Sequence, residues 1–433
     1  MRDRPQLLVS DREGKIFNVP FLEACGMKAG HFFRLTPEEL RPLPPCSQLM
    51  MLPDRRAAAF DPETGDFVHL KIDPFSDSRR PCFPVAAFLT PGYAATYNAA
   101  YIASQTKKIL PLFAYAAVVF YRGGFYAACV RVDRERRQDP RYMDMDLMRK
   151  NIRKFKKMFP KNRLVAHLEN CACVNGCPAA RNFFLKRYEA PLPTSPSCNA
   201  RCAGCISYQP SGRCPVTQPR IRFVPSSEEI AEVALFHMQN VKDPVVSFGQ
   251  GCEGEPLMVA DTIEKAIVLI RKRTRKGVIN LNTNASKPKA VARLCDAGLD
   301  SIRVSLNSVQ QEFYDRYYSP GGYTLGDVRR AVRQARKRGV WVSLNYLIMP
   351  GLTDSVREYA LFEKFVEQYD VNMIQWRNMN FDPAAYFRIL KYSPEAGSLI
   401  GMGHVINGFH ARFPRVMKGY FNPTKNRMRS GLA

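Results

Sequence analysis

The chain has 433 residues, and 64 Lys and Arg against 39 Asp and Glu leave a net charge of +25. Hydrophobic residues make up 46% and charged residues 24%. That balance excludes a disordered polymer, a collagen-like repeat and a multispan membrane protein, and the length predicts two or three domains.

Residues 1–14 lack the apolar core of a signal peptide. The longest apolar stretch, residues 109–121, is too short for a membrane span, which needs about 20 residues. A cytoplasmic location without a membrane partner is expected, and the 13 cysteines are expected as thiols or metal ligands. Residues 1–140 are rich in proline and aromatics, with a turn signal at Asp61-Pro62-Glu63-Thr64-Gly65. Residues 112–120 and 124–132 read as strands, and the segment is expected to be an N-terminal α+β accessory domain. Residues 141–165 predict a basic amphipathic helix, because Met148, Ile152, Phe155 and Phe159 recur at helical spacing. That helix opens a linker, 141–192, which runs into a cysteine-rich stretch.

A different rhythm occupies residues 193–380. Ser226 and Glu229 stand at capping-box spacing and open a helix. Strands at 245–248, 278–282, 301–306, 340–348 and 372–376 then alternate with helices near 260–275, 287–297, 325–338 and 354–369. Such alternation predicts βαβ units around a parallel sheet, an α/β fold whose active site lies at the carboxyl ends of the strands. Residues 381–433 read as a basic C-terminal extension.

The positive charge is clustered. Residues 149–163 hold eight basic residues, 271–276 five, 329–338 six and 412–429 six. RNA or another polyanion is the expected partner, against the plainer reading of solvated helix faces.

The strongest chemical signal is Cys198-Asn-Ala-Arg-Cys202-Ala-Gly-Cys205. Thiolates this close suit a cluster or a soft metal. A closed zinc site or a fully ligated [4Fe–4S] cube needs a fourth ligand. The next cysteine, Cys214, stands alone. A zinc site completed from a distance stays open at this point.

The run resembles the cluster loop of the radical S-adenosylmethionine (SAM) enzymes, and the resemblance covers residues 193–380. It implies a partial (β/α)6 TIM-like barrel. It also implies a [4Fe–4S] cluster on Cys198, Cys202 and Cys205 whose open iron binds SAM. Reductive cleavage of SAM to a 5′-deoxyadenosyl radical, hydrogen abstraction from substrate and an electron donor such as a flavodoxin or ferredoxin follow from the same resemblance. Further positions match in order. Gly254-Glu255-Pro256 resembles the family's Gly-Gly-Glu-Pro turn, with Glu255 as acceptor for the SAM amino group. Asn282 and Asn284 follow the third strand as polar contacts. Ser305 and Asn307 resemble the ribose- and carboxylate-contacting positions, and Met349, in Ile348-Met349-Pro350-Gly351, resembles the backbone contact to adenine. Two departures stand out. Gly204 replaces the aromatic residue often found before the third cysteine, leaving Ile206 or Tyr208 to pack adenine. Glu253 replaces the first glycine of the turn.

Gly249-Gln-Gly251-Cys-Glu-Gly254 also fits a dinucleotide-binding pattern. Residues 268–276 hold no acid for a ribose, and Pro256 donates no N–H, so that reading is rejected. A second cluster, Cys171-Ala-Cys173-Val-Asn-Gly-Cys177, is read as holding an auxiliary iron–sulfur cluster or a zinc ion, with Cys214, Cys252 or His167 as a fourth ligand. A redox pair or a plain cysteine-rich turn stays open. Gln375, Trp376, Arg377, Asn378 and Asn380 are candidates to face substrate, with packing the alternative for Trp376. The functional expectation is a radical SAM enzyme acting on RNA, with a peptide or small anionic metabolite next. The reading from another class is a non-catalytic iron–sulfur or zinc protein that binds nucleic acid and senses redox state.

Overall fold

Two sheets, one antiparallel and one parallel, organise the computed structural model, which describes residues 4–103, 108–212 and 214–431. The antiparallel sheet has 13 strands, all before residue 132. The expected turn forms: Gly65 N–H donates to Asp61 O (2.9 Å), and Arg55–Asp61 pairs antiparallel with Asp66–Leu70. Arg122 and Gly123, both at positive φ, join Ala116–Tyr121 to Gly124–Arg131, the backbone form that suits a two-residue hairpin.

The expected α+β character is corrected here. Among the described residues up to 132 the helical element is a single 3-10 turn, Pro37–Glu39. The misreading has a physical cause. Ala57, Ala58, Ala59, Ala86, Ala87, Ala116, Ala117, Ala127 and Ala128 are all buried in strands. Alanine has low intrinsic strand preference, but small side chains let neighbouring layers approach, and tertiary context overrides propensity. Gly26 shows the same economy, since a Cβ there would lie 2.6 Å from the Tyr97 ring that covers it.

The helix expected over 141–165 is two helices. Met145–Met158 is capped by Asp144, whose carboxylate accepts from the N–H groups of Asp146 and Leu147. Pro160 ends it, and Asn162 caps Arg163–Cys173 by accepting from Val165 N–H (3.1 Å).

Seven parallel strands follow in chain order: Glu189–Pro191, Val245–Phe248, Val278–Thr283, Ser301–Leu306, Trp341–Ile348, Met373–Asn378 and Met417–Gly419. They form a partial TIM-like barrel. The sheet reaches beyond 193–380 at both ends because its first and last strands are three residues long, too short to carry a period. Ile279, Leu281, Ile302, Val304, Leu306, Val342 and Leu344 join the core under the helices. The alternate positions point inward and are polar: Ser247, Asn280, Asn282, Ser301, Arg303, Ser305, Ser343, Asn345, Gln375 and Arg377. Asn422, just after the seventh strand, spans the interior. Its amide donates to Glu189 Oε1 in the first strand (2.7 Å), and its Oδ1 accepts from Gln375 in the sixth (3.2 Å). No helix among the described residues is long and apolar enough to cross a membrane.

The antiparallel sheet docks beside the carboxyl ends of the fifth and sixth strands. Asn378 accepts from Ala95 N–H (2.8 Å) and donates to Tyr93 O (2.9 Å). Lys28 faces Asp354 at 3.6 Å with both side chains buried, and Arg55 meets Asp382 at 2.8 Å, again fully buried.

Candidate active site

The loop after the first strand carries Cys198, Cys202 and Cys205 to the carboxyl end of the barrel. All three line one cleft with Gly249, Glu253, Gly254, Glu255, Pro256, Asn282, Thr283, Asn284, Arg303 and Ser305. The loop is held from the side by the helix Gln311–Tyr318. Arg201 N–H donates to Tyr318 O and Ala203 N–H to Tyr317 O, each at 2.9 Å. A Cβ on Gly204 would meet the Tyr317 hydroxyl at 2.8 Å. The space that an aromatic residue at 204 would need is therefore taken by Tyr317. Of the two adenine-packing candidates, Ile206 lines the cleft and Tyr208 is exposed under Arg220.

The second turn is fastened to this loop by its backbone and by two buried carboxylates. Gly254 N–H donates to Ser195 O (2.6 Å) and Glu255 N–H to Ser197 O (2.9 Å). A Cβ at Gly254 would lie 2.0 Å from Ser197 O, so only glycine allows the approach. Glu253 accepts from Thr194 N–H (2.8 Å), Ser195 N–H (3.0 Å) and Gln250 N–H (2.7 Å). The acidic departure from the family's glycine thus ties the cluster loop to the turn after the second strand. Glu255 accepts from Asn284 N–H (2.8 Å), Leu257 N–H (3.1 Å) and the Thr283 hydroxyl (2.5 Å). A carboxylate has about four acceptor sites, so one remains for a ligand. Burial pushes the Glu255 carboxyl up to about 7, against the pull of these donors.

Asn282 donates to Gly249 O (3.1 Å), and Asn284 donates to Asn199 Oδ1 in the cluster loop (2.9 Å). Ser305 lines the cleft and accepts from Asn345 (3.1 Å). Asn307 and Met349 stand apart from the cleft lining. Asn307 is fully buried and donates to Phe313 O and the Tyr386 hydroxyl, both at 3.1 Å. Met349 is buried beneath the antiparallel sheet, its sulfur 3.6 Å from Asn98 Nδ2.

Arg220, Thr283 and Arg303 also line the cleft, and the motifs do not point to them. Arg220 reaches Cys205 Sγ (3.5 Å) and Ser207 Oγ (3.3 Å). Arg303 points into the barrel, its Nε buried without a partner. Burial, with Arg377 adding repulsion, pushes its guanidinium down to about 9. The signal for Arg303 was present: in Ser-Ile-Arg-Val-Ser-Leu the apolar residues alternate with Ser301, Arg303 and Ser305, and a charge on the inward register of a buried strand is there to meet something.

Beside the cleft lies a cavity of about 770 Å³ between the barrel mouth and the antiparallel sheet. Ile206 belongs to both. Its polar lining includes Thr90, Arg181, Asn345, Arg377 and Asn380. Of the residues expected to face substrate, Arg377, Asn378 and Asn380 are there. Gln375 is bound to Asn422 inside the barrel. Trp376 is fully buried on the outer face, packed on Tyr346, Phe362 and Phe409 with its N–H on His410 Nε2 (3.0 Å).

The second cysteine set gathers in part. Cys173 is exposed, and Cys214 lies apart with its thiol on Leu110 O (3.4 Å). Cys171 faces His167 and Cys252, two of the three residues expected as a fourth ligand.

The first cleft fits a [4Fe–4S] cluster and SAM. Burial pushes the Cys198 and Cys202 thiols up, the neighbouring thiols adding to it, so the set gains most from a cation that takes all three as thiolates. The orphaned Arg303 Nε in this cleft lacks a partner that a polar ligand would supply.

Comparison with known proteins agrees with this arrangement. Residues 192–362 match the profile of the Radical SAM superfamily. The FeMo cofactor biosynthesis protein NifB of Klebsiella pneumoniae is 26% identical over 179 residues, 38% of this chain and 38% of that protein. A probable GTP 3',8-cyclase of Thermococcus kodakarensis is 38% identical over 104 residues, 23% of this chain and 32% of that protein. The chain thus spans less than two fifths of the length of these curated relatives. Among solved structures, native anSMEcpe with bound AdoMet aligns with a TM-score of 0.34 and 19% identity over 44% of this chain and 52% of that one. The family match falls on the segment that carries the three-cysteine loop and the glutamate turn, so residues 192–362 form a radical SAM domain.

Proposed function

We propose that the chain is a radical SAM enzyme that removes a hydrogen atom from a small anionic substrate held between the barrel mouth and the antiparallel sheet. The observation that carries this reading is the convergence of three thiols and the buried Glu255 on one cleft that adjoins a second cavity with Arg181, Arg377 and Asn380 set in a largely apolar lining. When bound, the [4Fe–4S] cluster and SAM supply reductive cleavage to a 5′-deoxyadenosyl radical, with electrons from a donor of the flavodoxin or ferredoxin kind. Cys198, Cys202 and Cys205 would hold the cluster. Glu255 offers its free acceptor site to the SAM amino group, and Arg303 is the cation for its carboxylate. Ser305, Asn282 and Asn284 shape the polar rim. The antiparallel sheet walls the cavity from one side.

Size and charge placement favour a small anionic molecule over RNA. Ligand cavities of about 300–1,000 Å³ suit small molecules, and this one carries Arg181 and Arg377. Two of the basic clusters close the helices Ala260–Arg273 and Leu325–Lys337, just before the third and fifth strands begin. They sit at the end of the barrel opposite the cleft, and several of their members are paired: Arg271 with Asp300, Arg336 with Asp370, and Arg338 with Asp296. The test is binding of tRNA and rRNA fragments as salt is raised. Weak binding with a shallow salt slope is expected. A steep slope from many phosphate contacts, with tight binding at physiological salt, would overturn the small-molecule assignment.

A further inference from the structure

Behind the turn that carries Glu253 and Glu255 lies a second donor set, on the face of that turn away from the first cleft. His167 and Cys171 are four residues apart on the helix Arg163–Cys173 and therefore share a face. Cys171 Sγ lies 3.4 Å from His167 Nε2. Cys252 comes from the turn after the second strand, and its Sγ lies within 4.8 Å of both. Cys171 and Cys252 are buried. Gly176, at positive φ, turns the chain back so that Cys177 N–H donates to Cys171 O (2.9 Å), which brings the Cys177 backbone to the end of the same helix. Cys173, two residues from Cys171, falls on the opposite side of the helix and is exposed.

We propose that His167, Cys171 and Cys252, with Cys177 as the fourth ligand, bind one zinc-class divalent cation. The spacing separates this from a second [4Fe–4S] cube, and the mixed imidazole and thiolate donors favour zinc over a cluster. Around a single tetrahedral zinc, with bonds of about 2.1 Å to nitrogen and 2.3 Å to sulfur, neighbouring ligand atoms lie about 3.6 Å apart. The 3.4 Å between Cys171 Sγ and His167 Nε2 fits that. A cube places each protein ligand on a different iron and needs its ligands farther apart. Thiolate and imidazole together suit zinc, and binding releases the thiol protons. The cation would fasten the helix Arg163–Cys173 to the turn that carries Glu253 and Glu255, and so hold the floor of the first cleft. The assignment does not depend on what the first cleft holds.

The test uses the full chain with C198A, C202A and C205A, so that the first cleft contributes no metal. Zinc is added, the protein is desalted against a chelator, and metal per chain is measured. One zinc per chain is expected. H167Q and C252S should each weaken zinc binding by roughly tenfold or more, while C173S leaves it unchanged. A triple variant that retains no zinc, or H167Q and C252S variants that bind it unchanged, would overturn the proposal. Because C252S alters a buried position, cobalt(II) is also added to the chain with the second site intact. A tetrahedral spectrum with thiolate-to-cobalt charge transfer is expected, and an octahedral spectrum without it would contradict the site.

Discussion

Replacing Asp382 with alanine is expected to destabilise the protein by about 3–5 kcal/mol, the cost of removing one partner from a buried ion pair. Asp382 is fully buried between the antiparallel sheet and the barrel. Its Oδ2 accepts from Arg55 (2.8 Å) and Leu110 N–H (3.1 Å). Its Oδ1 accepts from the Tyr101 hydroxyl (2.7 Å) and from Ala384 N–H (3.0 Å), the latter capping the helix Pro383–Leu390. Removing the carboxylate strands the Arg55 guanidinium, whose Nε already has no partner. Chemical denaturation of D382A reads the loss, and limited proteolysis should show the antiparallel sheet loosened from the barrel. The double variant R55M/D382A should recover part of the stability, because the unpaired charge is gone. A loss below about 1 kcal/mol in D382A would contradict a docking role for this pair.

Glu255→Gln should weaken SAM binding by roughly 10–100-fold, about 1.4–2.8 kcal/mol. The amide keeps the shape but turns one acceptor oxygen into a donor, which must then face Asn284 N–H, Leu257 N–H or the Thr283 hydroxyl. The strap between the second and third turns is broken as well as the contact to the ligand. A pH signature accompanies it. The carboxyl is pushed up to about 7, so the ionised form that accepts from an ammonium group fills in as pH rises through that value. SAM affinity in the reconstituted wild type should rise across that window, and the rise should be absent in Glu255→Gln. The sign for stability is the reverse of the usual carboxylate. The folded chain binds this proton more tightly than the unfolded one, so this group's contribution to stability falls as pH climbs from its ordinary value of 4.5 towards 7.

How far the amino-acid sequence carried this picture depended on the length and regularity of each element. The strands Val245–Phe248 and Ser301–Leu306 were legible to the residue because turn residues bound their apolar runs. The capping box also forms: Ser226 N–H donates to Glu229 Oε2 (2.8 Å) and Glu229 N–H to Ser226 Oγ (3.2 Å). The antiparallel sheet was not legible, because its strands rely on alanine and on rings such as Tyr97 laid over Gly26. The convergence of Cys198, Cys202, Cys205, Glu255, Asn284 and Ser305 could be read from a resemblance, since each follows a strand end. Asn307 also follows a strand end, and yet the chain there turns its side chain into a hydrogen bond with the Tyr386 hydroxyl. Asn422 in the barrel interior arises from a contact 47 residues away in the chain, to Gln375, and spacing alone does not reveal such a pairing.

The most direct test of the radical chemistry is made on anaerobically reconstituted protein. Iron and sulfide are quantified, dithionite and SAM are added, and 5′-deoxyadenosine is measured in the wild type and in C198A/C202A/C205A. The account predicts 5′-deoxyadenosine from the wild type and none above background from the variant. A wild type replete in cluster that neither binds nor cleaves SAM would contradict it.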